Sequence, residues 1–329
     1  MKEDKSIPIL RTLLKTPREF VPGSVLAREL GVSRVAIWGV MEKLREEGYQ
    51  FDAIRNRGYR VSELPPLLSY PYLAARLPFL EEKHSLFVKP SLDSTNSEAE
   101  RLLASGQKTP LVILAHQQTA GRGRLGRIWQ SDETGNFYGS LAFHPRLPPH
   151  RMQPFTLWMG LTLCRFLEEI GKLQPRLKWP NDILFEGRKG VGILTEARMD
   201  ADLMRELVIG IGINVSPTPK LPDHPQKLHA TCLNEASGRE ISLNPFAVAL
   251  IETLLEAYKV FHEDRYQEAF HRLWQRYNLL SGKNIEARSG TGILRGMVTG
   301  LRSDGALLIR SEGREKALVS GEVTLAPHP

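Results

Sequence analysis

Cysteine is scarce in this chain, with Cys164 and Cys232 the two among 329 residues. Two cysteines cannot build a disulfide framework, and neither has metal-ligand spacing. A stapled secreted domain and a zinc finger are therefore excluded, and a reducing cytoplasm is the expected setting. Long apolar runs are also missing. The most apolar stretch, Leu207 to Val215, falls far short of the roughly 20 residues that a membrane span needs. The opening MKEDKSIPIL mixes charges of both signs and lacks the apolar core of a signal peptide. Repeats and low-complexity tracts are absent. Acidic residues are the scarcer charge, 37 against 44 Lys and Arg, which leaves a net charge of +7. That excess asks for an anionic partner without choosing among nucleic acid, a phosphate-bearing ligand and an acidic protein.

What is present suits folded domains. Hydrophobic residues make up 41% and charged residues 25%, enough to fill cores and far from a disordered composition. At about 100–200 residues per domain, two or three are expected. The first block ends near Pro65-Pro66, a pair that breaks helices and reads as a linker. Within it, Ser24 to Leu30 has a short helical pattern stopped by Gly31. Ser33 then offers an N-cap oxygen, and Val35, Ile37, Met41 and Leu44 follow at roughly helical spacing. Helix, glycine turn and second helix form a helix-turn-helix pattern. Tyr49 to Asp52 and Tyr59 to Val61 then read as two strands joined by Arg55-Asn56-Arg57-Gly58, a basic wing.

The second block alternates apolar, β-branched runs (Leu111 to Ala115, Glu206 to Gly210) with amphipathic stretches over Phe155 to Leu173 and Pro245 to Phe261. Strands buried in a sheet with helices packed on one face are expected. From about Asn284, glycines punctuate short alternating runs such as Ala306 to Ile309, which predicts a small all-β barrel.

Gly121-Arg122-Gly123-Arg124-Leu125-Gly126 fits the G-x-G-x-x-G pattern after a strand. A dinucleotide loop opens directly into an apolar helix and has an acid about 20 residues on. Here Arg127 to Ser131 follows, and no Asp or Glu occurs from Thr134 to Leu167. The loop instead offers guanidinium groups between glycines, suited to carboxylate or phosphate oxygens and to ordering on binding. A solvated basic loop is the plainer alternative. Lys178-Trp179-Pro180-Asn181-Asp182 likewise has two readings, a phosphate and metal cluster or a tight turn. Lys189, before the run Val191 to Glu196, is placed to face the same pocket.

Together these pieces resemble the bifunctional biotin protein ligases that also repress the biotin operon. The resemblance rests on five segments in order. They are Asp93-Ser94-Thr95-Asn96, Gln118 to Arg124, Lys178 to Asp182, Gly192-Ile193-Leu194 with Glu196, and Gly210 to Asn214. It implies an α/β (α+β) multidomain chain. Residues 1–65 would be a winged helix-turn-helix, 66–276 a mixed-sheet domain of the biotin/lipoate ligase type, and 277–329 a small SH3-like β barrel. It also implies that Ser94, Thr95, Asn96 and Gln118 line a biotin pocket, and that Arg122, Gly123 and Arg124 close over biotin and its adenylate. Lys189 would meet the biotin carboxylate, or the phosphate made from it, beside Gly192. Lys178, Asn181, Asp182 and Asn214 would contact ATP, with Asp182 serving Mg²⁺ through the nucleotide.

The partners implied are the biotin carboxyl carrier protein of acetyl-CoA carboxylase, operator DNA, and a second copy of the chain once adenylate is bound; no membrane is involved. The reaction needs fixed cations and no enzyme nucleophile, and the nine histidines and two cysteines lie outside the five segments. For DNA, Ser33, Arg34, Arg55 and Arg57, with Arg60, are the candidate contacts. Trp38-Gly39-Val40 departs from the polar recognition helix usual in such repressors. A biotin-sensing regulator without ligase activity and a lipoate or octanoate ligase are the alternatives.

Overall fold

The computed structural model describes residues 4–218, 229–290 and 292–325. Helices α1 (Ser6–Leu13), α2 (Gly23–Glu29) and α3 (Arg34–Glu46) lead into the antiparallel strands β1 (Gln50–Ile54) and β2 (Gly58–Glu63). Gly31 turns α2 into α3 at φ +62°, a left-handed conformation that glycine adopts without steric cost. Ser33 caps α3 by accepting from the Ala36 N–H at 3.1 Å. These are the helix-turn-helix and wing expected from the spacing.

Next come α4 (Tyr70–Arg76), α5 (Pro78–Glu81), β3 (Leu86–Leu92), α6 (Thr95–Ala104), β4 (Leu111–Gln118), β5 (Phe137–Phe143) and α7 (Met152–Gly171). The chain continues through β6 (Pro175–Lys178), β7 (Asp182–Phe185), β8 (Arg188–Asp200), β9 (Leu203–Ile213), α8 (Leu233–Ser237), α9 (Leu243–His262) and α10 (Gln267–Tyr277). The seven strands form one sheet in the order β3-β4-β5-β9-β8-β7-β6, with β3 and β4 parallel and the other neighbours antiparallel. Alternation along β4 shows why its run is continuously apolar. Leu111 and Ile113 pack with Ala99 and Leu103 of α6, while Val112 and Leu114 face the larger core that includes α7 and α9. Trp158 of α7 donates to the Ala257 carbonyl of α9 at 2.9 Å.

The last unit comprises β10 (Asn284–Ser289), β11 (Gly292–Leu301), β12 (Leu307–Ser311), β13 (Arg314–Leu318) and β14 (Glu322–Leu325). It is an antiparallel sheet ordered β13-β12-β11-β10-β14. The Trp179 indole N–H donates to the Gly305 carbonyl at 3.0 Å and ties this unit to the β6–β7 turn.

The linker corrects one expectation. Pro65-Pro66, read above as a linker, is fastened to the central unit. Pro65 is buried, and Asn244 of α9 donates to the Pro65 and Leu67 carbonyls, both at 2.8 Å. The Asn244 side-chain oxygen also accepts from the Ser69 N–H at 2.8 Å. Residues of α1 and α3 share one continuous apolar cluster with α4 and α9. The helix-turn-helix is therefore packed against the central unit.

Candidate active site

The segment after β3 starts α6 beside the end of β4, and it brings Ser94, Thr95 and Asn96, all buried, next to Gln118. Gln118 Oε1 accepts from the Thr95 N–H at 2.8 Å and from its hydroxyl at 3.2 Å, while Nε2 donates to Ser131 Oγ at 3.1 Å. Asn96 donates to Glu196 of β8 at 2.7 Å, and Ser140 of β5 donates to Asn96 Oδ1 at 2.6 Å. Neutral donors and acceptors are thus fixed by two helix-end residues and three strands. Ser94, Thr95, Asn96 and Gln118 line a cavity of about 60 Å³ together with Arg122, Gly123, Arg124, Asn181, Lys189 and Gly192.

Trp129 lines this cavity too, a residue that sequence reasoning missed. Gly192 and Gly212 pair across β8 and β9. A Cβ on either would stand 2.6 Å or 2.4 Å from the Trp129 indole, so two glycines are what let the ring lie against the sheet. Glycine inside a strand is the usual mark of such an approach, and it was the available signal. The indole N–H is buried with no partner, and Lys189 Nζ stands 5.1 Å from the ring centroid.

Gly123, Arg124, Trp129, Asn181 and Lys189 also border a second, larger cleft of about 1650 Å³ that reaches the C-terminal sheet. Lys178, Asp182 and Asn214 line this cleft alone. Lys189 forms an ion pair with Asp182 at 2.7 Å. Burial pushes the Lys178 ammonium and the Arg124 guanidinium below their usual pKa values, with Asp182 pulling each the other way. Cations desolvated in this manner gain from an arriving anion. Asn214 donates to the Thr231 carbonyl at 3.0 Å, and its side-chain oxygen is buried without a partner. Asp182 and Asn214 both bring side-chain oxygens to the lining of this cleft. No group of three His, Cys, Asp or Glu side chains gathers at a metal site among the described residues. Such a pair suits an ion that takes most of its ligands from a nucleotide.

The arginine loop is divided among partners. Arg122 is ion-paired with Glu196 and with Glu100, the latter at 3.3 Å, and donates to Ser97 at 3.1 Å. Arg124 donates to Asn181 at 3.1 Å and to the Gly321 carbonyl at 3.4 Å. Arg127 donates to Glu322 at 2.6 Å. Asn181 in turn donates to the Ile193 carbonyl at 2.8 Å and braces the β6–β7 turn against β8.

At the other end of the molecule, Ser33, Arg34 and Arg55 are exposed. Arg57 and Arg60 stand 4.8 Å and 4.9 Å from the Phe20 ring centroid. Arg60 also pairs with Asp52 at 2.5 Å across the two strands of the wing.

Fold and cleft together define a ligase with a helix-turn-helix attached. The biotin/lipoate A/B protein ligase family model matches residues 88–214. A helix-turn-helix domain model matches 7–60, and a biotin protein ligase C-terminal domain model matches 280–325. The bifunctional ligase/repressor BirA of Bacillus subtilis is 34% identical over 93% of this chain and 94% of its own length. Its Escherichia coli counterpart is 29% identical over 98% of both. The biotin protein ligase of Aquifex aeolicus, solved with biotin and ATP, superposes with a TM-score of 0.62 at 31% identity, covering 74% of this chain and 99% of that one. The chain belongs to the biotin protein ligase family, in the bifunctional ligase/repressor form. No helix among the described residues is long and apolar enough to cross a membrane.

Proposed function

We propose that this protein activates biotin with ATP and transfers it to a lysine of the biotin carboxyl carrier protein of acetyl-CoA carboxylase. The observation that supports this most is the meeting of a neutral polar pocket and a cationic cleft at Lys189, Arg124 and Trp129. Ser94, Thr95, Asn96 and Gln118 suit the ureido ring. Gly192 and Trp129 suit the apolar body of biotin, and Lys189 its carboxylate. A carboxylate oxygen bonds to the α-phosphorus of ATP, the bond to pyrophosphate breaks, and biotinyl-5′-AMP remains. The carrier lysine's neutral amine then attacks the acyl carbon, and AMP leaves. Two anions must meet in the first step, so Lys178, Lys189, Arg122 and Arg124 act by fixed positive charge. Asn181, Asp182 and Asn214 serve the nucleotide side. Asp182, together with the nucleotide, would hold a Mg²⁺ ion, which would supply further charge neutralisation.

A cavity of about 60 Å³ is far below the roughly 300–1,000 Å³ of ligand sites. Biotin therefore enters with a shift of the loop that Arg122 fastens to Glu196. Incorporation of labelled biotin into purified carrier, dependent on ATP, tests the reading. No incorporation together with retained biotin binding would leave a sensor without ligase activity.

The N-terminal unit, residues 1–65, binds operator DNA in this proposal, with 66–276 as the catalytic unit and 277–329 closing the cleft. Residues 1–3 and 326–329 at the two ends lie outside the described residues. Adenylate orders the Gly121–Gly126 loop and completes a surface that pairs two copies in the cytoplasm, placing two winged helices on two half-sites. Sedimentation with and without biotin plus a non-hydrolysable ATP analogue tests this coupling; a mass that ignores the ligand would refute it.

A further inference from the structure

The solvent face of α3 carries an unusual set of side chains. Ile37, Met41 and Leu44 point into the core. On the opposite face Val35 is 77% exposed and Trp38 57% exposed, followed by Gly39, around whose Cβ position nothing lies within 4 Å. Val35 is the most exposed large apolar side chain among the described residues. Basic side chains are exposed in the same unit. Arg34 shares the turn of Val35, and Arg55 and Arg57 occupy the wing. The nearby carboxylates Glu42 and Asp52 are ion-paired with Arg45 and Arg60, and Glu46 lies two turns further along the helix.

We infer that this face reads thymine, with Val35 and Trp38 packed against C5-methyl groups in the major groove and Arg34, Arg55 and Arg57 taking phosphates. The inference rests on the proposal that the N-terminal unit binds DNA. Guanine, adenine and cytosine are read through hydrogen bonds at their edges, whereas thymine alone presents a methyl group to apolar side chains. Val35 and Gly39 have no side-chain donor or acceptor, and bare backbone at Gly39 lets base edges approach. A second copy of the chain is a poorer occupant. Two side chains cover far less than the roughly 800 Å² per partner of a stable protein interface, and the arginines exposed in the same unit match a phosphate backbone.

The test begins with selection from a random-sequence duplex library by the full-length protein, with biotin and ATP present at low salt. The selected duplex is then prepared with thymine or with uracil, which differ only in the methyl group. Enrichment of thymines in each half-site is expected, with about three- to tenfold weaker binding of the uracil duplex. Val35→Ala should narrow that gap, whereas Arg55→Ala should weaken both duplexes alike and reduce the salt dependence. Equal binding of the two duplexes would overturn thymine reading while leaving DNA binding intact. No enrichment and no retention of any duplex would overturn both. Loss of a larger sedimenting species in the Val35→Ser variant, with uracil tolerated, would assign the face to a second copy.

Discussion

Lys189 Nζ and Asp182 stand 2.7 Å apart across the β7–β8 pair, at the edge shared by the two cavities. The carboxylate holds the ammonium where the pocket opens into the cleft, and an arriving anion competes with Asp182 for it. Removing the lysine leaves a half-buried carboxylate facing that anion. Lys189→Ala should therefore lower adenylate formation about 10²–10³-fold, whereas Lys108→Ala, an exposed position, should leave it unchanged. Single-turnover pyrophosphate release checks this, and equal rates for the two variants would remove Lys189 from the reaction.

Arg122 has opposing effects before and after reaction. In the proposed reaction its pairs with Glu196 and Glu100 loosen to admit biotin, and its charge would then retain the adenylate. Arg122→Ala should speed biotin association and release biotinyl-5′-AMP at least tenfold faster, since even a single charge-assisted contact is worth about 1.5–3 kcal/mol. The melting temperature should barely move, because exposed ion pairs contribute about 0–1 kcal/mol. Stopped-flow tryptophan fluorescence and filter retention of labelled adenylate measure the two rates.

Gly212→Ala should damage ligand binding more than folding. The new methyl would meet the Trp129 ring at 2.4 Å, and a ring at the cavity edge moves more readily than the paired strands beneath it. Biotin affinity should fall at least tenfold, with near-native far-UV circular dichroism. An unchanged Kd by calorimetry would show that the ring's position is immaterial.

Proton linkage at Lys178 has a definite sign. Burial lowers its pKa below 10.5 in the free protein, and a phosphate beside it raises that value. Between the two values nucleotide binding takes up a proton, and affinity falls as pH climbs through the free-protein pKa. Its effect on stability follows the same rule: the charged group is disfavoured in the fold, and this penalty disappears as pH rises toward the unfolded value. Calorimetry on the alkaline side in buffers of different ionisation heat should show proton uptake that Lys178→Arg abolishes. Equal uptake in both proteins would place the titrating group elsewhere.

Asn244→Ala should cost about 2–4 kcal/mol in urea unfolding, because it strands the Pro65 and Leu67 carbonyls and the Ser69 N–H. Deleting residues 1–65 should lower the melting temperature as well, since α1 leaves the face of α4. A truncated chain as stable as the full one would show that this packing contributes nothing to stability.

Local chemistry made much of this legible. Gly31, Ser33 and the Arg55–Gly58 turn act through their own backbone or the next turn, so spacing alone located them. The five motif segments located the cavity lining, because strand ends and a helix start deliver their residues to one place. Pairings between distant segments were not legible. Pro65-Pro66 is a local signal for a linker, yet Asn244, which fastens it, is 179 residues away. Arg122 reads as a free cation until Glu196, 74 residues on, is seen beside it. Trp129 looked like one aromatic after a loop, since the glycines that make room for it sit on strands formed much later in the chain.

The clasp between the arginine loop and the C-terminal sheet also has a consequence for synthesis. Arg124 and the Gly321 carbonyl it reaches are 197 residues apart. At about 5–20 residues per second, the loop leaves the ribosome roughly 10–40 s before β14 does. Throughout that interval Arg124 and Arg127 lack Gly321 and Glu322, and once Gly212 has emerged the nascent chain holds every residue that lines the pocket while one wall of its cleft is still missing. Nucleotide added to stalled nascent chains should protect the loop from proteolysis only once β14 has emerged.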